Sequence, residues 1–478
     1  MPPSGAVAGG RYAMGSVVVC GGGVVGLAAA MMLARDGHEV TVLEADADRA
    51  PAAPAEAWED WRRAGITQFR QPHNLFSRVR EVCDGELPGM TGRLLDAGCV
   101  WVDPLATRPP ALADWQPSPD DERFRFVTGR RPVVEAVFAA AAEATPGVTV
   151  RRGVRTAALR TGPAALDGVP HVTGVRTDDG AELTADLVVD ATGRRSRSAD
   201  WLSAAGARPP APESQDSGFA YYTRYYTGPE RPQRRAPGLT PMGSISVLTL
   251  DGDNDTWSVT LFGRTRDAPI KALRGSVAFE RVMAACPRHA HWLDGRPITD
   301  VLVMAGVVDR YRSPVVDGTP VVTGLLTVGD AWACTNPSAG RGISLGMVHA
   351  QVLRRAVAAH LDRPAELAAS FAAATEAEVE PFYRGQLAAD RVRLAEMAAA
   401  GGDGPPVELR SPVVALLGAG MTDQVAFRAF VELLTCLATP QDVLSRPEVV
   451  AALDRHDGSP PPSAPGPDRA RLLELLAT

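Results

Sequence analysis

The feature that most constrains this chain is a glycine cluster near its start, Gly21-Gly-Gly-Val-Val-Gly26. It lies between Ser16-Val-Val-Val-Cys20 and a run of Ala, Met and Leu. The β-branched run before it reads as a buried strand, Leu27 to Asp36 as an apolar helix, and Glu39 to Leu43 as a second buried strand. Strand, turn, helix and strand within about 30 residues make a βαβ unit, and so a parallel sheet covered by helices. In that setting G-x-G-x-x-G has a physical meaning. The first glycine permits the tight turn, the second lets the backbone approach a pyrophosphate, and the third lets helix and strand pack closely. Glu44 ends the second strand eighteen residues beyond Gly26, where an acid accepts hydrogen bonds from a ribose and excludes a 2′-phosphate. Gly21, Gly23, Val24, Val25, Gly26 and Glu44 are therefore candidate dinucleotide-binding residues, without separating NAD from FAD.

The remaining 430 or so of the 478 residues are enough for a second or third domain with a large core. A net charge of −7 supplies no basic field for nucleic acid or an anionic membrane. No run approaches the ~18 apolar residues of a membrane span, so no membrane insertion is expected. Met1 to Arg11 lacks the charged and apolar regions of a signal peptide, and the expected location is cytoplasmic. Six scattered cysteines without metal-type spacing read as buried thiols, and no metal site is expected. One lysine beside a large excess of arginine fits a GC-rich bacterial genome.

Further along, Arg131 to Glu143 reads as a helix and Val148 to Val154 as a strand. A hairpin around Gly174 and Gly180 leads to the strand Leu187–Val189. Residues 203–217 read as a Pro/Ala/Ser linker, 218–227 and 244–262 as alternating strands, and Val321 to Val328 as another buried strand. A Gly-rich turn and a helix from Ile343 to His360 come next. The rest is helical, broken at Gly401–Pro406 and by a Pro/Ser linker, Ser459 to Pro467. The expected fold is α/β: a Rossmann-like domain built from separated segments, an inserted mainly β domain, and a helical C-terminal region. The corresponding bounds are 12–62, 122–200 and 310–365 for the nucleotide domain, 63–121 and 201–309 for the substrate domain, and 366–478 for the helical region.

Two distant segments turn the reading toward FAD. Val321 to Ala331 closes a strand on Gly329-Asp330, followed by Asn336-Pro-Ser-Ala-Gly-Arg-Gly342. This resembles the GD motif of FAD-dependent aromatic hydroxylases, whose nucleotide domain is of the glutathione-reductase type. The resemblance assigns Gly329 and Asp330 to the ribityl chain, and Pro337, Gly340, Gly342 and Ile343 to the edge of the isoalloxazine ring. The helix starting near Ile343 then points its positive end at the flavin pyrimidine. Leu187-Val-Val-Asp190-Ala-Thr-Gly193 resembles the D-x-T-G segment of such flavoproteins, implying cofactor contacts from Asp190 and Gly193. Arg131-Pro-Val-Val-Glu135 resembles a helix start whose arginine approaches FAD, and Val154 lies where the family passes a strand by the adenine. Gly65 to Leu75 is similar to a stretch of bacterial polyether- and squalene-type flavin epoxidases, and it nominates Gln68 and Arg70 for the cofactor.

What the resemblance implies is an FAD-dependent monooxygenase of secondary metabolism. It would insert one O2-derived oxygen into a hydrophobic or aromatic small molecule through a flavin C4a-(hydro)peroxide. FAD would be held non-covalently, with electrons from NADPH, NADH or a partner flavin reductase. Asp190-Ala-Thr-Gly193 departs from the D-G-x-x-S-x-x-R run of hydroxylases that NAD(P)H reduces directly. A dehydrogenase or reductase on the same scaffold is the alternative. A halogenase would need a lysine, and Lys271 stands far from the expected places. No side chain announces itself as a catalytic acid or base. His73 is a candidate to meet substrate or flavin, with a structural hydrogen bond as the other reading. Tyr222, Arg224 and Tyr226 share one strand face by period two, and Trp257 and Trp332 are candidates for the same substrate wall, with core packing as the alternative.

Overall fold

The structure, a computed structural model, describes residues 14–208, 212–405, 411–458 and 463–477. The start through Arg11, Pro406 and parts of the two expected linkers lie outside these residues. In chain order, the elements that position the site begin with β1 (Ser16–Cys20), α1 (Val24–Arg35), β2 (Glu39–Glu44), α2 (Arg131–Glu143), β3 (Val148–Arg152) and β4 (Leu187–Asp190). They continue with β5 (Phe219–Thr227), β6 (Ile245–Asp251), β7 (Thr256–Arg264), α3 (Ser276–Ala284), β8 (Leu325–Thr327), α4 (Gly342–His360) and α5 (Glu380–Gly401).

The five short apolar strands pair in parallel in the order β8-β4-β1-β2-β3. Side chains alternate across β1: Val17 and Val19 join the core under α1, α2 and α4, while Val18 and Cys20 face a second core. That second core is closed by the three-stranded antiparallel sheet of Thr156–Leu166, Val169–Thr177 and Glu182–Thr184. Helices α1 and α4 lie against each other closely, since a Cβ built on Gly346 would come within 2.3 Å of Val25 Cγ2. The expected strand Val321–Val328 is pairing-competent only over β8. The residues before it bond to the antiparallel sheet instead, with Val172 N–H donating to Thr323 O at 2.8 Å.

Two differences from the sequence reading concern the domain bounds. Helices Ser77–Glu86 and Met90–Asp96 place Val79, Val82, Cys83, Met90 and Leu94 in the core of the parallel-sheet domain, not in the inserted one. Both are short and rich in charge, so their apolar faces give little periodicity. The expected linker 203–217 contains the strand Glu213–Asp216, which pairs with Val308–Tyr311.

The inserted body is an antiparallel sheet. Strands β6, β7 and β5 lie side by side, with Leu239–Met242 at one edge and Arg296–Pro297 and Leu302–Met304 at the other. One face carries Ala220, Tyr222, Tyr226, Trp257, Val259 and Leu261 against α3 and the helix Arg469–Ala477. The other face carries Phe219, Tyr221 and Phe262 against Leu394 and Met397 of α5. Helices Pro412–Ala419, Gln424–Leu434 and Pro447–Arg455 build a small core of their own. Among the described residues no helix is long and apolar enough to cross a membrane, and no group of side chains could hold a metal ion. All six cysteines are buried and free.

Candidate active site

The glycine turn does what its spacing requires. Gly21 sits at φ +109°, and a Cβ there would come within 2.4 Å of Ala191 O, so only glycine fits between β1 and β4. A Cβ on Gly26 would lie 2.0 Å from Gly21 O, which sets the close approach of α1 to its own strand. Gly23 differs: nothing lies within 4 Å of its Cβ direction. It faces a cavity of about 320 Å³.

That cavity gathers Gly21, Gly23, Glu44, Gln68, Arg131, Val154, Gly193 and Asp330 from the expected residues, although they span most of the chain. Six arginines line it (Arg63, Arg131, Arg155, Arg194, Arg195 and Arg197) against the two carboxylates Glu44 and Asp330. This balance suits a diphosphate. Two buried donors on its wall, Trp201 Nε1 and Arg194 Nε, have no hydrogen-bond partner among the described residues. An open cradle at Gly23, surplus positive charge and unpaired buried donors fit the dinucleotide part of FAD. The Asp330 carboxylate is 39% exposed, with its nearest cation, Arg194 Nε, at 3.9 Å, so it is free to accept hydroxyl donors from a ligand.

Glu44 is held by more than its strand. Its Oε2 accepts from Gly22 N–H at 2.8 Å and from Arg63, and its Oε1 accepts from Asp46 N–H at 2.8 Å. Arg63 also donates to Gly22 O and to Glu135 Oε2, both at 3.0 Å. Glu135 Oε1 accepts from Arg131 Nε at 3.0 Å, and Arg131 Nη1 meets His73 Nε2 at 3.0 Å. His73 Nδ1 donates in turn to Gln71 O at 2.8 Å. An imidazole that accepts from a guanidinium must be neutral. Burial, reinforced by Arg131, pushes the His73 pKa down to about 3. His73 therefore ties the 70–76 segment to α2 as a neutral ring that accepts from Arg131 and donates to Gln71 O. Arg63 escaped the sequence reading because Trp61-Arg-Arg63 matches no motif. The signal was indirect: Glu44 and Glu135 both sit in apolar surroundings that demand a cation.

Several other expected cofactor residues act on neighbours instead. Asp190 is fully buried, and its carboxylate accepts from Thr192 N–H (2.9 Å), Thr192 Oγ1 (2.6 Å) and Ser196 Oγ. It shapes the turn that delivers Gly193 and Arg194 to the cavity. Burial pushes its pKa up against those hydrogen bonds. The Arg70 guanidinium lies 4.7 Å over the Trp58 ring and bonds Trp58 O, outside the cavity. Val24 and Ile343 are buried in the helical core, and Val25 packs against α4. Gly329 N–H donates to His349 Nδ1 at 3.1 Å, while His349 Nε2 donates to Thr375 Oγ1 at 3.1 Å. Burial holds His349 down at about 3, so it stays the neutral acceptor that fixes the Gly329-Asp330 turn. Beyond that turn, Pro337–Ala339 is a short 3₁₀ segment, Gly340 is left-handed at φ +68°, and α4 starts at Gly342.

The residues expected to form a substrate wall pack into the interior of the protein. Tyr222, Tyr226 and Trp257 are core residues against α3, and Trp257 Nε1 donates to Trp292 O at 2.8 Å. Arg224 pairs with Glu280 and donates to Thr299 O at 3.0 Å. Trp332 is enclosed by Tyr311, His349 and Tyr383. The opposite parity of β5 faces the nucleotide domain: Tyr221 donates to Asn336, Thr223 Oγ1 reaches Gln71 Oε1 at 3.4 Å, and the Tyr225 ring lies 4.7 Å from Trp58. The strand is apolar on both faces, so period two finds the faces without saying which one meets the cofactor domain.

Comparison with known proteins agrees with this geometry. Residues 16–55 match the family described as FAD dependent oxidoreductase. Protein Rv3254 of Mycobacterium tuberculosis is 28% identical over 395 residues, covering 77% of this chain and 78% of the relative. PqsL, a probable FAD-dependent monooxygenase from Pseudomonas aeruginosa, superposes with a TM-score of 0.58 at 16% identity, over 81% of this chain and 100% of its own. OxyS, the anhydrotetracycline hydroxylase of Streptomyces rimosus, gives 0.53 at 20% identity, over 89% and 76%. The Diels-Alderase PyrE3 of pyrroindomycin biosynthesis gives 0.57 at 19% identity, over 88% and 80%. The property shared with these structures is the fold.

Proposed function

We propose that this chain, which has the fold of FAD-dependent monooxygenases, binds FAD non-covalently and inserts one oxygen atom from O2 into a hydrophobic or aromatic small molecule. The oxygen transfer is a hydroxylation or an epoxidation. The observation that carries the reading is one continuous path. The arginine-lined cavity ends at Asp330, Asp330 leads to the Asn336–Gly340 turn, and that turn is bonded to the inserted sheet through Tyr221. Bound FAD supplies the redox and oxygen chemistry, which no side chain here could supply. In this reading Gly21, Gly23 and the start of α1 hold the pyrophosphate, Glu44 the adenosine ribose and Asp330 the ribityl hydroxyls. The turn and the start of α4 receive the isoalloxazine ring. In this reading substrate lies between that turn and the inserted sheet, where buried aromatic surface excludes water. NADPH, NADH or a separate reductase provides electrons.

Anaerobically reduced protein is mixed with 18O2 in the presence of a panel of aromatic and polyene compounds, and products are read by mass spectrometry. Incorporation of one 18O atom into a product supports the reading. Stoichiometric H2O2 with no labelled product across the panel overturns it in favour of a dehydrogenase or reductase.

A further inference from the structure

Helix α5 crosses behind the Asn336–Gly340 turn and presses a carboxyl against it. Asp390, 5% exposed, accepts three hydrogen bonds on a single oxygen: from Asn336 Nδ2 and Ser338 Oγ at 3.1 Å, and from Gln386 Nε2 at 2.9 Å. Gln386 Nε2 also reaches Ser338 Oγ at 3.1 Å. The second oxygen, Oδ2, is buried and has no hydrogen-bond partner among the described residues. Asn336 is held from two further sides. Its Oδ1 accepts from Tyr221, and its backbone N–H donates to the buried Asp309 at 2.6 Å. Two carboxyls, a phenol and two amides thus converge on one short turn, and no cation bonds Asp390 among the described residues.

We propose that Asp390 is a positioning residue for the flavin-receiving turn: by drawing Asn336, Ser338 and Gln386 onto one oxygen, it sets the backbone path between Asp330 and α4. The proposal rests on the reading of that turn as the seat of the isoalloxazine ring. It concerns a residue of the helical region, which no sequence motif reached. The loaded Oδ1 and bare Oδ2 describe a carboxylic acid better than a carboxylate, because an ionised Oδ2 would keep a charge without donors. Burial raises the Asp390 pKa to about 7, the Asn336 and Ser338 hydrogen bonds oppose the rise, and Asp309 adds to it. The other titratable groups facing it stay protonated or move the same way. Burial drives Tyr221 well above its usual range and raises Asp309. Above neutrality Asp390 places a negative charge behind the turn, which opposes the accumulation of negative charge on a reduced flavin in front of it.

The test compares wild type, Asp390→Asn and Asp390→Leu by three measurements. These are hydrogen exchange of the 333–341 segment in the apoprotein, the FAD dissociation constant, and the flavin midpoint potential from pH 6 to 8. Asp390→Leu strands Asn336, Ser338 and Gln386, so the segment should exchange, and FAD dissociate, about tenfold more readily. Asp390→Asn keeps the acceptor and cannot ionise. It should restore both properties while removing a bend in the potential-versus-pH line that wild type shows near pH 7. Unchanged exchange and affinity in Asp390→Leu, or the same bend in Asp390→Asn, overturns the proposal. Should Asp390→Leu not fold, the comparison of wild type with Asp390→Asn decides alone. Wild type that binds no FAD sinks the functional reading, while exchange still judges what Asp390 does to the turn.

Discussion

Replacing Arg63 by methionine tests whether the dinucleotide turn is held from behind by charge. The Arg63 side chain is 1% exposed and pairs with Glu44 and with the fully buried Glu135 at 3.0 Å, besides bonding Gly22 O. Methionine keeps the length and apolar bulk of the stem but removes every donor. Glu135 would be left with Arg131 alone, and Glu44 with the backbone N–H groups of Gly22 and Asp46. Breaking a buried ion pair by removing one partner costs about 3–5 kcal/mol. Because both carboxylates retain some donors, the lower end applies, about 3 kcal/mol, or roughly a hundredfold in the folding equilibrium. Urea unfolding of the apoprotein, followed by tryptophan fluorescence and circular dichroism, measures it. Arg63→Met/Glu44→Gln should recover at least half of the loss, because Glu44 is the carboxylate that loses its cation, whereas Glu135 keeps Arg131. Identical unfolding midpoints at pH 7 would refute the argument.

Other substitutions separate holding the fold from holding the cofactor. Gly23→Val directs its side chain into open cavity, so the apoprotein should melt as wild type does while retention of FAD is lost; normal FAD occupancy would refute this. Gly26→Val meets Gly21 O at 2.0 Å, and should fail to accumulate as folded protein at all. Asp330→Ala should raise the FAD dissociation constant about tenfold or more, with Asp330→Asn between it and wild type. Equal affinities for the three in an apoprotein titration would remove Asp330 from the site. Tyr225→Phe deletes a buried hydroxyl that has no hydrogen-bond partner among the described residues, so thermal stability should stay level or rise; a clear fall would show a hydrogen bond the geometry does not contain.

The parts legible in sequence were those that a local pattern dictates. The βαβ unit could be read because glycines, β-branched residues and a terminal acid stand at fixed offsets, and α2 could be read to the residue from Arg131 to Glu143. The gathering of Gln68, Val154, Gly193 and Asp330 around one cavity was carried by resemblance, and the geometry supports it. Two kinds of information were out of reach. One is which side of a doubly buried strand meets which body: Tyr222, Arg224 and Tyr226 face α3, and the opposite parity meets the 58–71 segment and Asn336. The other is which polar residue answers a distant partner. Arg63, His349 and Asp390 each satisfy groups far away in sequence, and isolated from those partners they look like any arginine, histidine or aspartate on a helix or loop.

The bonds that fix Asn336 span 27 residues to Asp309, 54 to Asp390 and 115 to Tyr221. Such a turn has no local reason to adopt its shape. Closing each of those loops is unfavourable until the bodies at both ends are built, so the turn is among the last parts of the molecule to become native. If FAD binds as proposed, a chain in which the parallel sheet has formed but the antiparallel sheet and α5 have not yet docked would hold the pyrophosphate end of the cofactor and lack the other. Cofactor present during refolding then favours the final docking step alone, by mass action on the one state that can grip both ends. The yield of active protein in expression should accordingly follow flavin supply more closely than the yield of soluble protein does.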